Sequence, residues 1–115
     1  MLFVHYPKCS TCQKAKKWLD THHIVYTERH IKEENPTAEE LKEWIAGSGQ
    51  PVKKFFNTSG MLYREMNLKE KLPGMTEDEQ IELLASDGML VKRPLLVDER
   101  SVLIGFREAQ WEEKL

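Results

Sequence analysis

Apolar positions open the chain as a run, Leu2, Phe3, Val4 and then Tyr6 around a single polar His5, and Pro7 ends it. A short apolar run closed by proline predicts a buried strand. The spacing then changes. Ala15, Trp18 and Leu19 recur at helical intervals, and the pattern runs out at His22 and His23, which are expected on the surface near a helix C-terminus. From Ile24 to Ile31 apolar and polar side chains alternate through Val25, Tyr26, Thr27 and Glu28, a second strand signal. Strand, helix and strand in this order predict a parallel, right-handed crossover.

The middle of the chain reads as helical. Thr37-Ala38-Glu39-Glu40 forms a capping-box pattern ahead of Leu41, Trp44 and Ile45, and Gly47, Ser48 and Gly49 are expected to stop that helix. Gln50-Pro51 starts a segment carrying Phe55 and Phe56, and Asn57-Thr58-Ser59-Gly60 reads as a turn. Met61 to Leu68 predicts a further helical piece. Thr76-Glu77-Asp78-Glu79 is another capping-box pattern, leading into Ile81, Leu83 and Leu84, with Gly88 closing the helix.

Arg93-Pro94 precedes the apolar run Leu95, Leu96, Val97. Asp98-Glu99-Arg100 then separates it from Val102, Leu103, Ile104, which predicts two strands joined by a tight turn. Proline is tolerated at the first residue of a strand, and an Arg93-Pro94 cis bond is compatible with this position. Glu108 through Trp111 to Leu115 predicts a terminal helix. The order gives an α/β fold with a thioredoxin-like layout: a mixed central sheet, with a helical insertion between the βαβ unit and the C-terminal hairpin and helix. Trp18, Trp44, Trp111, Phe55 and Phe56 are expected to pack in the core.

A length of 115 residues predicts one domain, 1–115, large enough to bury a continuous core. No apolar run approaches the ~20 residues that span a bilayer, and the N-terminus lacks the layout of a signal peptide. The expected location is the cytoplasm. Seventeen basic against nineteen acidic residues leave a net charge of -2, which argues against electrostatic nucleic-acid binding. Lys14, Lys16 and Lys17 read as a solvated helix face.

These observations sharpen the meaning of the chain's two cysteines, Cys9 and Cys12, which are spaced Cys-Ser-Thr-Cys between the first strand and the first helix. In a reducing compartment such a pair points to catalysis or sensing rather than to a structural staple. At a helix start Cys9 meets unsatisfied amide N–H groups, which favour the thiolate, and Lys8 adjoins it. Cys9 is the candidate nucleophile. Cys12, one turn on, is placed to attack a mixed disulfide on Cys9 and release what was bound there. A zinc site would need four ligands; there is no second Cys-x-x-Cys, and the spacings of His22, His23 and His30 fit no common finger pattern. His5 reads equally as a satisfied core histidine or as part of the cysteine's environment. Arg93 reads as a strand-edge residue or as a site cation.

Taken in order, His5-Tyr6-Pro7-Lys8-Cys9-Ser10-Thr11-Cys12-Gln13-Lys14-Ala15, Phe56-Asn57-Thr58-Ser59-Gly60 with Tyr63-Arg64, Arg93-Pro94-Leu95-Leu96-Val97-Asp98 and Gly105-Phe106 resemble the arsenate reductase-like (ArsC/Spx/MgsR) family of the thioredoxin superfamily. The resemblance covers essentially the whole chain. It implies that Cys9 stands where the arsenate-reducing branch has its attacking cysteine, Arg93 on one oxyanion-holding arginine, Pro94 on the family's cis-proline and Arg107 near a second arginine. The third arginine falls at Asn57, which leaves an oxyanion pocket one cation short, with Lys53, Lys54 or Arg64 as substitutes. Loss of a charge-assisted contact weakens oxyanion binding.

Cys12 is a second departure, because the branch that uses glutathione and glutaredoxin carries a single active cysteine in this segment. The Cys-x-x-Cys form is similar to the Spx-type regulators and their reductase relatives. The resemblance therefore implies a small cytoplasmic thiol-disulfide oxidoreductase, with arsenate reduction as one version. Cys9, Cys12 and Arg93 are its expected catalytic residues, and His5, Lys8, Asn57, Arg64, Pro94 and Arg107 its expected binding residues. It implies no metal and no bound organic cofactor. Electrons would come from glutathione or a similar low-mass thiol, or from thioredoxin or glutaredoxin, to a monomeric protein. The alternative is a redox-sensing regulator that binds RNA polymerase, with its α subunit as the partner to test. Spx-type proteins extend beyond the last helix whereas this chain ends at Leu115, so the regulator ranks second.

Overall fold

A computed structural model describes residues 1–115. Strand β1 (Leu2–His5), helix α1 (Ser10–Thr21) and strand β2 (Thr27–His30) form a βαβ unit with parallel strands, Phe3 opposite Glu28 and His5 opposite His30. Strand β3 (Leu95–Val97) runs antiparallel to β1, and β4 (Val102–Ile104) antiparallel to β3, giving the sheet order β2-β1-β3-β4. The insertion holds α2 (Ala38–Ser48), α3 (Met61–Glu65), α4 (Leu68–Lys71) and α5 (Glu77–Ser86), with short 3-10 turns between them, and α6 (Glu108–Lys114) ends the chain. This is the mixed-sheet α/β layout that the sequence predicts.

Successive strand residues face opposite sides of the sheet, and that alternation sorts the core into two layers. Phe3, Leu96 and Leu103 pack with Ala15, Trp18, Leu19 and Trp111 on the side of α1 and α6. Val4, Leu95 and Val102 pack with Leu41, Trp44, Ile45, Ile81 and Leu84 on the side of α2 and α5. The expected aromatic core residues Trp18, Trp44, Trp111, Phe55 and Phe56 are all buried. Both predicted capping boxes form: Thr37 and Thr76 accept the Glu40 and Glu79 amides, and the two glutamates accept the threonine amides in return.

Four local expectations shift. The second strand is shorter than Ile24–Ile31, because β1 offers a partner only from the register Leu2 opposite Thr27, and Val25, 89% exposed, lies ahead of the ladder. The stretch from Met61 to Leu68 is broken at Asn67, whose φ of 54° ends one short helix before another begins; asparagine tolerates this left-handed conformation better than most residues. Helix α2 runs through Gly47 and Ser48 and stops at Gly49 in a left-handed C-cap. Gly88 lies beyond the end of α5, where it serves a close approach instead: a Cβ there would come 1.8 Å from the Ile31 carbonyl oxygen.

A candidate thiol site at the start of α1

Backbone bonding delivers Cys9 to the end of β1. Its N–H donates to the Tyr6 carbonyl at 3.0 Å, and its own carbonyl accepts from Gln13 at 3.0 Å to begin α1. The Gln13 side chain donates back to the Pro7 carbonyl at 2.9 Å, which ties the loop to the first helical turn. Cys9 is therefore the N-cap, extended at φ -88° and ψ 124°, at the end of α1 where the first-turn amides lack helical partners. Both cysteines are reduced; Cys9 is half-buried and Cys12 is fully buried.

The two thiols differ in ease of ionisation. Burial pushes Cys9 up, but the amide and thiol of Cys12, the Thr11 amide and the Arg93 charge together bring it below the ordinary thiol range. For Cys12 burial is the main cause of a rise to about 12, opposed in part by the Tyr6 backbone; its hydrogen bond to Cys9 and the charge there add to the rise, and Arg93 lowers it less. The arrangement thus favours one negative charge, on Cys9, with Cys12 as its proton-bearing donor.

Arg93 reaches this site through the cis Arg93-Pro94 bond at the start of β3. Its guanidinium lies 5.5 Å from the Tyr6 ring centroid, and Nη1 donates to the Met89 and Val91 carbonyls at 3.2 and 3.4 Å. Stacking and tethering hold the cation in one place. Arg93 is thus partly buried rather than a free strand-edge residue, and Pro94 beneath it is buried.

The other predicted residues stand apart from this cluster. Lys8, Arg64 and Arg107 are exposed, on the loop, on α3 and at the N-cap of α6, as are Lys53 and Lys54. Asn57 is half-buried: its backbone N–H donates to the Leu90 carbonyl at 2.8 Å, its carbonyl accepts from the Gly60 N–H at 3.1 Å, and a Cβ on Gly60 would meet its Nδ2 at 2.6 Å. His22 is exposed and stacks on Trp18 at 3.9 Å, His23 is exposed, and His30 Nδ1 accepts the Lys32 and Glu33 amides at 3.2 Å.

His5 is buried in β1, stacked on Phe3 at 4.4 Å, with Nε2 3.3 Å from Glu28 Oε1. Burial keeps it below the usual histidine range, against the raising influence of Glu28. Lys16 Nζ bonds the same Glu28 oxygen at 2.9 Å and the Tyr26 hydroxyl at 2.9 Å, so it is not a plain solvated residue of the helix face. His5, Cys12, Gln13, Lys16, Glu28 and His30 are among the residues lining a cleft of about 520 Å³ behind the thiols. Sequence reading overlooked Glu28 and Lys16. The available signal was the strand alternation, which places Glu28 on the α1 side of the sheet beside Phe3 and His5.

The ArsC family model matches residues 4–114 of the chain. Among curated proteins, an uncharacterized Bacillus subtilis protein, YusI, is 61% identical over 98% of the chain and 96% of its own length. The regulatory protein MgsR of Bacillus subtilis is 34% identical over 96% of the chain and 86% of its own length. Among solved structures, a possible arsenate reductase from Streptococcus mutans superposes with a TM-score of 0.90 at 48% identity, covering 99% of this chain and 97% of that one. With a helix-capping Cys9, an arginine-cis-proline beside it and a family match that spans both, the chain belongs to the ArsC family.

Proposed function

We propose that this protein is a small cytoplasmic thiol-disulfide oxidoreductase in which Cys9 attacks and Cys12 resolves. The observation that carries the reading is the asymmetry of the pair: Cys9, half-buried, is held toward thiolate by amides, a thiol and Arg93, while Cys12 beside it is fully buried and protonated. A thiolate of lowered pKa is the attacking species in disulfide exchange. The Cys9 thiolate displaces a thiolate from a disulfide substrate and forms a mixed disulfide. Cys12, deprotonated, then attacks the Cys9 sulfur and expels the bound thiol, leaving a Cys9–Cys12 disulfide. A small thiol such as glutathione, or thioredoxin or glutaredoxin, returns the two electrons. No bound cofactor enters this cycle.

Arsenate reduction is one specific version. There Cys9 displaces an oxygen of arsenate as water, and two electrons from the two thiols reduce the adduct to arsenite as the disulfide closes. Arg93 is the cation that supports it, although two backbone carbonyls already occupy one end of its fork. The 34% identity to MgsR supports a second reading, a redox-responsive regulator whose disulfide alters a surface offered to RNA polymerase.

Intact mass spectrometry of the reduced protein after anaerobic incubation with arsenate, with phosphate as control, separates these versions. Arsenate-dependent loss of two protons and formation of a Cys9–Cys12 disulfide supports the reductase. A protein that stays reduced with arsenate but oxidises with a disulfide donor retains only general exchange or sensing. Cys9→Ser then divides those two: an enzyme loses turnover, whereas a regulator keeps its affinity for the polymerase α subunit and loses only its oxidant dependence.

A further inference from the structure

We propose that His5, oriented by Glu28, accepts the proton that Cys12 must lose when it attacks the mixed disulfide on Cys9. The inference rests on the attacking and resolving roles of the two thiols. It begins from a chemical need. Cys12 is fully buried, and burial opposes its ionisation even after Cys9 is covalently capped and uncharged. Without a nearby acceptor the second step would wait on a rare thiolate.

The cleft behind the thiols supplies the acceptor. Cys12 and His5 line it together, and the Cys12 sulfur interacts with the backbone of Tyr6, the residue that follows His5 at the end of β1. The charged and titratable groups around His5 are Glu28 and His30 from β2 and Lys16 from α1, with Glu34 lining the same cleft. Glu28 is already ionised by its bond to Lys16, and Lys16 is held cationic by Glu28 and Tyr26. His30 Nδ1 is engaged by two amides. His5 is the neutral base with a carboxylate behind it. Its Nε2 lies 3.3 Å from Glu28 Oε1, so a neutral ring with its proton on Nε2 keeps the Nδ1 lone pair to take a proton, and the carboxylate stabilises the resulting imidazolium.

The step balances without an added oxidant. The Cys12 proton passes through the cleft to His5, the Cys12 thiolate attacks the Cys9 sulfur, and the sulfur–sulfur bond to the substrate thiol breaks as the internal disulfide forms. The leaving thiolate carries away the electron pair of the broken bond, and His5 returns its proton to solvent.

Stopped-flow reaction of the reduced protein with a nitrobenzoate disulfide, whose released thiolate is coloured, reads the two steps separately. The first release reports attack by Cys9 and the second reports resolution by Cys12. His5→Gln is expected to slow the second release relative to the first by at least about tenfold at neutral pH. The deficit should shrink as pH rises and Cys12 ionises unaided. Glu28→Gln, which removes the charge of a half-exposed side chain and leaves His5 in place as a weaker base, should give an intermediate slowing and the same pH trend. Equal second-phase rates and pH profiles in wild type and both variants overturn the inference. If wild type gives no first release, or a first without a second, the thiol roles themselves fail and the inference with them. That result is distinct from two intact phases that ignore His5.

Discussion

Glu28 and Arg29 are neighbours on β2 and serve opposite sides of the sheet. Glu28 looks toward α1, is about half-exposed, and shares its carboxylate between Lys16 and His5 beside the thiols. Arg29 looks toward α2. It forms a two-pronged pair with Glu40, donates to the Glu34 and Asn35 carbonyls at 2.8 and 3.1 Å, and lies 5.9 Å from the Trp44 ring centroid. The Arg29 network spends its donors on fixed partners and joins β2, the following loop and α2. The Glu28 network stays open to water and contains a histidine. A saturated polar network confers rigidity, whereas an open one keeps groups available for proton transfer.

The largest test of this contrast is on the reactive side. Cys9→Ser should abolish thiol release from a disulfide reagent while far-ultraviolet circular dichroism stays unchanged. Cys12→Ser should keep the first exchange and trap the mixed disulfide, seen as a stable adduct by mass spectrometry. Residual exchange through Cys12 alone in the Cys9→Ser protein would reverse the assignment of roles.

On the other side, Arg29→Met should cost about 2 kcal/mol in urea unfolding, because it leaves a partly buried carboxylate and two carbonyls without their donor. Glu40 is held below the usual carboxyl range chiefly by its hydrogen bonds to Arg29. A depressed folded pKa stabilises above the unfolded value, near pH 4.3, and that stability is lost as pH falls through the folded one. The wild-type advantage over Arg29→Met should therefore be full at pH 7 and fade in the acid range. A gap that persists unchanged at low pH would show that packing on Trp44, not the pair, carries the effect.

Arg93→Ala tests the cation beside Cys9. Losing its charge should move the Cys9 titration up, so alkylation slows at pH 7 and recovers at alkaline pH, as followed by iodoacetamide labelling. An unchanged pH midpoint would leave the amides and the Cys12 thiol as the whole cause. The smallest effect belongs to Glu28→Gln on stability: an exposed pair contributes under about 1 kcal/mol, so urea unfolding should barely register it.

Much of this was legible in the sequence where the cause is local. The Thr37 and Thr76 caps, the strand closed by Pro7, the Arg93-Pro94 entry to β3 and the helix-capping Cys9 all depend on residues within a few positions of one another. The misreadings have a common origin in longer contacts. Val25 alternates correctly but has no β1 residue to pair with, and Lys16 belongs to a charged run yet meets Glu28 and Tyr26 across the crossover.

By itself the sequence determined the order of elements, their caps and the position of both thiols at the head of α1, because hydrophobic period, turn chemistry and helix-end amides act over a turn or less. Only the tertiary structure decided which thiol is shut away from water, which of the candidate cations lies beside the other and which histidine has a carboxylate behind it. Those depend on strand register and burial, which bring Arg93 to Cys9 and Glu28 to His5 and take water away from Cys12.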